Sequence, residues 1–102
     1  MFELNDANHH IQYETLRLYT PVAHITRGTA TAVSLPIGEN NYVVPANTVV
    51  MVSAACIHVN PDIYPAPLEF RPKRWLSTSS TGEVTFNEPE KFNFLPWSAG
   101  PR

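Results

Sequence analysis

Apolar positions near the start of the chain follow a helical rhythm. Leu4, Ala7, Ile11 and Leu18 are three, four and seven residues apart, so a helix from Leu4 to Tyr19 carries them on one stripe. Asn5 or Asp6 can cap its start. Pro21 ends it, because the residue before a proline is biased to extended backbone. The rhythm then changes. Val22 to Thr26 and Thr31 to Ile37 are rich in β-branched residues and predict strands. Gly38-Glu39-Asn40-Asn41 predicts a hairpin turn into Tyr42-Val43-Val44, and Pro45-Ala46-Asn47 a second turn. Thr48 to Ala54 is apolar on both faces, which predicts a strand covered on both sides.

Beyond that strand the pattern weakens. Cys56 to Tyr64 has room for one helical turn before Pro65 and Pro67. Ser77-Thr78-Ser79-Ser80-Thr81-Gly82 predicts a mobile loop, and Asn87 to Arg102 predicts no regular element. No internal repeat or domain boundary is evident. One helix, a few short strands and a long irregular tail do not close a domain, so the tail is expected to wrap on something outside these residues.

Composition narrows the classes. The chain has 102 residues and 43% hydrophobic content, enough for one modest core and too much for disorder. Its ten prolines fall mostly in the second half, which favours turns and extended backbone there. A net charge of −2 leaves no electrostatic footprint for nucleic acid. With Cys56 as its only cysteine, the chain can form no internal disulfide. The apolar stretch around Val49-Val50-Met51-Val52 is far too short to span a bilayer, and no signal-peptide pattern opens the chain.

Three clusters carry candidate chemistry. Glu14 falls within the apolar stripe, where a carboxylate needs a partner, and Arg17 lies one turn away. By spacing alone a surface ion pair is the favoured reading, because such pairs are common on helices. Phe70-Arg71-Pro72-Lys73-Arg74-Trp75 packs aromatics and cations around a proline. It reads either as an exposed basic turn or as an arginine placed to reach a buried acid. Phe94-Leu95-Pro96-Trp97-Ser98-Ala99-Gly100-Pro101-Arg102 combines small and aromatic residues that allow backbone to approach a flat ligand, and a turn before a missing element explains it equally well.

In this order and at these separations the clusters resemble the cytochrome P-450 family. Glu14-Thr15-Leu16-Arg17 is similar to the ExxR signature of its K-helix. Pro72-Lys73-Arg74-Trp75 resembles its PxRF/W signature. Trp97-Ser98-Ala99-Gly100-Pro101-Arg102 resembles the start of its FxxGxRxCxG haem loop. Between them, Tyr42 to Thr48, His58-Val59-Asn60-Pro61 and Pro67-Leu68-Glu69-Phe70 are also similar. The likeness runs from Tyr13 to Arg102 and is poor over 1–12. Trp97 stands where phenylalanine is usual, Ser98 where glycine is frequent, and Lys73 at a variable position. Trp-Ser here resembles filamentous-fungal members.

The resemblance implies an α+β fragment of the mainly α cytochrome P-450 fold. It would comprise one N-terminal helix, short strands with a hairpin, an irregular meander and the start of the haem loop. Residues 1–102 then form a partial domain that does not stand alone. Glu14, Arg17 and Arg74 would form one buried charge network with a positional role. Arg102 and Arg27 would hold the propionates of haem b, with Trp97, Gly100 and Pro101 in the haem loop. Pro21, Val22 and Ala23 would line the substrate site. For Arg27 a solvated strand-end cation is the equal alternative. His24 is read as structural rather than as an iron ligand, His58 as structural, His9-His10 as solvated, and Cys56 as a small buried residue. The family's iron-ligating cysteine would fall two residues past Arg102, so no metal ligand and no catalytic residue is expected within the chain, and no haem thiolate complex.

The parent would insert oxygen into a hydrophobic substrate, with electrons from an NADPH-dependent reductase. By analogy it would sit on the cytosolic face of the endoplasmic reticulum membrane. The rival reading, from a different class, is a non-enzymatic scaffold or interaction remnant that keeps a family segment.

Overall fold

The computed structural model describes residues 8–98. The first helix, α1, spans His9–Leu18. The part expected before it, with Leu4, Ala7 and both proposed caps, lies outside the described residues. Pro21 follows α1 closely, and the Tyr19 amide closes the last turn on the Thr15 carbonyl at 2.8 Å. The buried face of α1 differs from the apolar stripe. Glu14 and Arg17 are fully buried, whereas Ile11 is 45% exposed. Residues three apart share a face, and here that face carries an ion pair instead of aliphatic contacts.

Strand β1 (His24–Gly28) pairs antiparallel with β4 (Val49–Ser53), from His24 opposite Ser53 to Gly28 opposite Val49. Between them the chain makes the hairpin of β2 (Val33–Ile37) and β3 (Asn40–Val44). Ile37 pairs with Asn40, so the loop is only Gly38-Glu39 and the strand begins two residues before Tyr42. Gly38, at φ 62°, supplies the left-handed backbone that such a tight turn needs at its first central residue. Thr29 pins the base of the hairpin. Its hydroxyl donates to the Pro45 carbonyl at 2.7 Å and accepts from the Thr48 amide at 2.9 Å.

Strand β4 is not covered on both sides. Val49 and Met51 are exposed, and among the described residues only β1 lies beside the strand. A two-stranded sheet has no second layer, so a doubly apolar strand is left with a bare face. Helix α2 (Ala54–His58) follows at once, its Ser53 hydroxyl accepting from the Cys56 amide at 3.2 Å. Ala54 and His58, four apart, point inward. Cys56, between them, faces solvent rather than the core, which corrects its reading as a buried residue.

Pro72–Trp75 forms a 3₁₀ turn, with the proline preset for its first position. It runs into β5 (Leu76–Thr78), which pairs antiparallel with β6 (Val84–Phe86). Ser77 and Thr78 are therefore strand residues, and the loop shrinks to the tip around Gly82. Residues 87–98 form no helix or strand.

The result is a small α+β assembly of one main helix and three two-stranded antiparallel sheets among the described residues. Its aliphatic core is Ile25, Ala54 and Leu95, with Ile57 against them. An aromatic block lies on the other side. Tyr13 stacks on Phe94 with centroids 4.8 Å apart and meets Trp75 edge-on at 5.4 Å. His9 is drawn into this block against Phe86 at 5.8 Å, so it is half-buried rather than solvated.

Candidate functional site

The largest fully buried side chains are Arg17, His58 and Glu14. The centre of the molecule is thus polar, and its stability depends on complete hydrogen bonding.

Glu14 is held by five donors. Arg17 approaches through Nε at 3.0 Å and Nη2 at 2.6 Å, a two-pronged pair. The Arg71 amide donates at 2.9 Å, Arg74 Nε at 3.1 Å and the Trp75 indole at 2.9 Å. Burial alone would raise the Glu14 carboxyl. The bonds from Arg17, Arg71 and Trp75, with the Arg17 charge, outweigh burial and hold it below its ordinary value.

Arg17 uses all five of its N–H donors. Two go to Glu14, and the rest reach the carbonyls of His58 at 2.8 Å, Pro67 at 2.6 Å and Glu69 at 3.1 Å. Its guanidinium also lies 5.4 Å from the Tyr64 ring centroid. Arg74 reaches three further carbonyls: Pro65 at 2.6 Å, Ala66 at 3.1 Å and Glu69 at 3.2 Å. These two arginines fasten the irregular segment 65–71 to α1 by its backbone. Among the described residues no buried side-chain N or O lacks a partner.

The chain before the last described residues is tied in by two rings. The Tyr64 hydroxyl donates to the Asn93 carbonyl at 2.6 Å, and burial pushes that phenol up to about 12. His58 Nε2 accepts from the Leu95 amide at 2.8 Å.

The remaining sequence-predicted residues divide. Glu14, Arg17 and Arg74 come together. Val22 donates its amide to the Pro96 carbonyl at 3.3 Å, and Arg27 Nη2 lies 3.5 Å from the Ser98 hydroxyl, so Val22 and Arg27 lie beside segment 96–98. Pro21 is exposed and Ala23 half-buried. Trp97 is 60% exposed and borders an open groove of about 410 Å³ with Ile11, Gln12, Thr15 and Leu16. Gly100, Pro101 and Arg102 lie outside the described residues. His24 is exposed, and among the described residues no three His, Cys, Asp or Glu side chains gather as metal ligands.

Trp75 and the Arg71 amide are partners of Glu14 that residue-level reading missed. The signal for Trp75 was present: an indole beside the reaching arginine must find an acceptor when buried. A backbone amide leaves no sequence signal.

The described residues thus hold a helix whose buried face is an ion pair, met by a second arginine that returns from a 3₁₀ turn. The family model described as cytochrome P-450 matches residues 10–102, slightly more than the resemblance from Tyr13. Cytochrome P-450 6a8 of Drosophila melanogaster is 39% identical over 89 residues, covering 87% of this chain and 16% of that protein. Cytochrome P-450 monooxygenase hepC of Aspergillus oryzae is 41% identical over 93 residues, covering 90% and 17%. Cyclooctat-9-en-7-ol 5-monooxygenase of Streptomyces melanosporofaciens is 37% identical over 87 residues, covering 85% and 17%. The chain belongs to the cytochrome P-450 family, whose intact members carry haem. It spans about a sixth of the length of these relatives. Among the described residues no helix is long and apolar enough to cross a membrane.

Proposed function

We propose that these residues are the part of a haem-thiolate monooxygenase that sets the position of the haem loop. The intact protein inserts one oxygen atom into a hydrophobic organic substrate, with electrons from a reductase. The observation that carries this reading is the convergence on Glu14 of Arg17, three residues away, and Arg74, 60 residues away in sequence. Haem, when bound, would supply the redox chemistry. The protein supplies orientation and electrostatics.

Each cluster has a part in that work. Glu14, Arg17 and Arg74 anchor segment 65–71, and through Trp75 and the aromatic block they anchor residues 93–95. A guanidinium at Arg27, a hydroxyl at Ser98 and an indole at Trp97 suit the edge of a flat, carboxylate-bearing ring. Arg102, Gly100 and Pro101 take their haem-loop roles from the motif alone. Val22, with Pro21 and Ala23, runs beside Pro96, where an apolar substrate would meet the haem. Two of these relatives are named as monooxygenases, which supports the same reaction class. A reductase using NADPH and a place on the cytosolic face of the endoplasmic reticulum membrane are carried by family analogy only.

Residues 1–102 by themselves are proposed to be inactive, since Cys56, on α2, is not part of the motif that resembles the haem loop. The test is the carbon-monoxide difference spectrum of the reduced full-length protein. A thiolate-type Soret band at one haem per chain is expected. A full-length protein that folds without binding haem would contradict the reading and favour a non-enzymatic scaffold.

A further inference from the structure

His58 is the one fully buried side chain of the polar centre that the Glu14 network does not employ through its side chain. Its ring has a defined protonation pattern. A backbone amide can only donate, so the 2.8 Å contact from Leu95 makes Nε2 an acceptor without a proton. The neutral ring therefore carries its proton on Nδ1, 2.7 Å from the Thr20 hydroxyl. Thr20 in turn donates to the Arg17 carbonyl at 3.0 Å. A directed chain of hydrogen bonds runs from Leu95 through the imidazole and Thr20 to the end of α1.

Leu95 is a sensitive place to hold. Its side chain is one of three in the aliphatic core. The next residue, Pro96, accepts from Val22, and Ser98 meets Arg27. The Leu95 amide thus fixes where the chain leaves the core toward 96–98. We propose that His58, as the Nδ1–H tautomer, is a positioning residue that clamps the Leu95 amide ahead of the haem loop and releases it when the ring is protonated. The haem-loop half of this statement rests on the functional reading above; the clamp itself does not.

Protonation puts a second N–H on the ring, facing the Leu95 amide donor head-on, and that bond is lost. The surroundings compensate a protonated ring only through the Arg17 carbonyl, and that falls short of the burial cost. From α1 the nearest charges are Arg17, bonded to the His58 carbonyl, and Glu14, already engaged by five donors. From the 3₁₀ turn comes Arg74, bonded to Glu14 and to carbonyls of 65–69. Tyr64, the other titratable ring nearby, donates to Asn93, and Glu69 pairs outward with Arg71. On the tail side stand a neutral amide and the Phe94 ring, 5.3 Å between centroids. Burial lowers the His58 pKa from its ordinary 6.5, the Arg17 carbonyl opposes this, and the Arg17 charge adds to the lowering. A ring whose folded pKa is depressed contributes its stability above about 6.5, and that contribution fades as pH falls toward the folded value.

The test is hydrogen exchange at the Leu95 amide in the full-length protein, from about pH 7.5 to about pH 5 and corrected for intrinsic rates. The carbon-monoxide Soret band is recorded on the same samples. Protection at Leu95 is expected to fall about tenfold or more as His58 protonates. The thiolate band should decline over the same range. In His58→Gln the amide oxygen takes the place of Nε2 and does not titrate, so protection should persist and the acid decline should disappear. Parallel loss in wild type and His58→Gln, or protonation of His58 with Leu95 protection unchanged, would overturn the proposal. Should His58→Gln fail to fold, the ¹⁵N spectrum of the wild-type imidazole decides, because an Nε2–H tautomer is incompatible with the clamp. A wild type lacking any thiolate band at neutral pH would instead contradict the functional reading, and the Leu95 exchange would still test the clamp.

Discussion

At the scale of single residues, Glu14 governs the site because, among the described residues, it is the acid that faces two arginines and an indole. Its ionised form is what the five donors require. With its folded pKa held below the ordinary 4.5, the network's contribution is complete above about 4.5 and is lost as pH falls through the folded value. An acid titration followed by circular dichroism should show loss of structure in that low window, and it should move upward in Trp75→Phe. That change removes the indole donor and should itself cost about 1.5–3 kcal/mol, the worth of one hydrogen bond to a charged group. Arg17→Lys is a second discriminating change. A lysine has three donors where Arg17 uses five, so at least two bonds disappear. Chemical denaturation of the full-length protein should show a loss of about 3 kcal/mol or more. Equal stability of the lysine variant would mean that the carbonyl bonds to 65–69 carry little. In the sequence the charges themselves were legible, since ExxR and the arginine after Pro72 announce them. Their carbonyl partners were not, because any residue type can offer a carbonyl.

At the scale of elements, the strands and turns follow local chemistry closely. The β-branched runs became β1 to β4, with shifts of two residues or fewer at most ends. The error at Asn40 arose because Asn40 and Asn41 look like turn residues, yet a loop led by glycine needs only two positions. Gly38→Val places a β-branched side chain at φ 62°, where it is strained, and should cost about 1–3 kcal/mol in the hairpin. Hydrogen exchange should show that loss confined to β2 and β3 while α1 keeps its protection. Helix α1 was misjudged in another way. Its apolar stripe is half exposed because the partner of its buried face is the irregular segment 65–75, which presents carbonyls and an indole. Periodicity reports apolar faces and is blind to a face that is buried through hydrogen bonds. Cys56 shows the same limit, since a five-residue helix directs only Ala54 and His58 inward.

At the scale of the whole molecule, the chain is open. Its radius of gyration is 17.1 Å, against about 13 Å for a compact domain of this length. Among the described residues only Ile25, Ala54, Tyr64, Trp75 and Leu95 are buried hydrophobics, while Val43, Val49, Met51 and Leu68 lie bare. Such surfaces and the free edges of two-stranded sheets promote association. Residues 1–102 expressed alone are therefore expected to be aggregated or loosely packed. A monomer in sedimentation with dispersed amide signals and a cooperative melt would show instead that the polar centre suffices to hold the fold.

The claim on which the functional account depends is that the Glu14 network positions the haem loop, and haem retention in full-length Glu14→Ala measures it most directly. Removing the carboxylate leaves the N–H groups of Arg17, Arg74 and Trp75 that faced it without their acceptor, a change that costs about 3–5 kcal/mol for a broken buried pair. The account predicts that Glu14→Ala loses stability by that amount and loses its thiolate-bound haem, while Glu88→Ala, changed at an exposed acid outside the network, keeps both. Full haem content and unchanged stability in Glu14→Ala would contradict it.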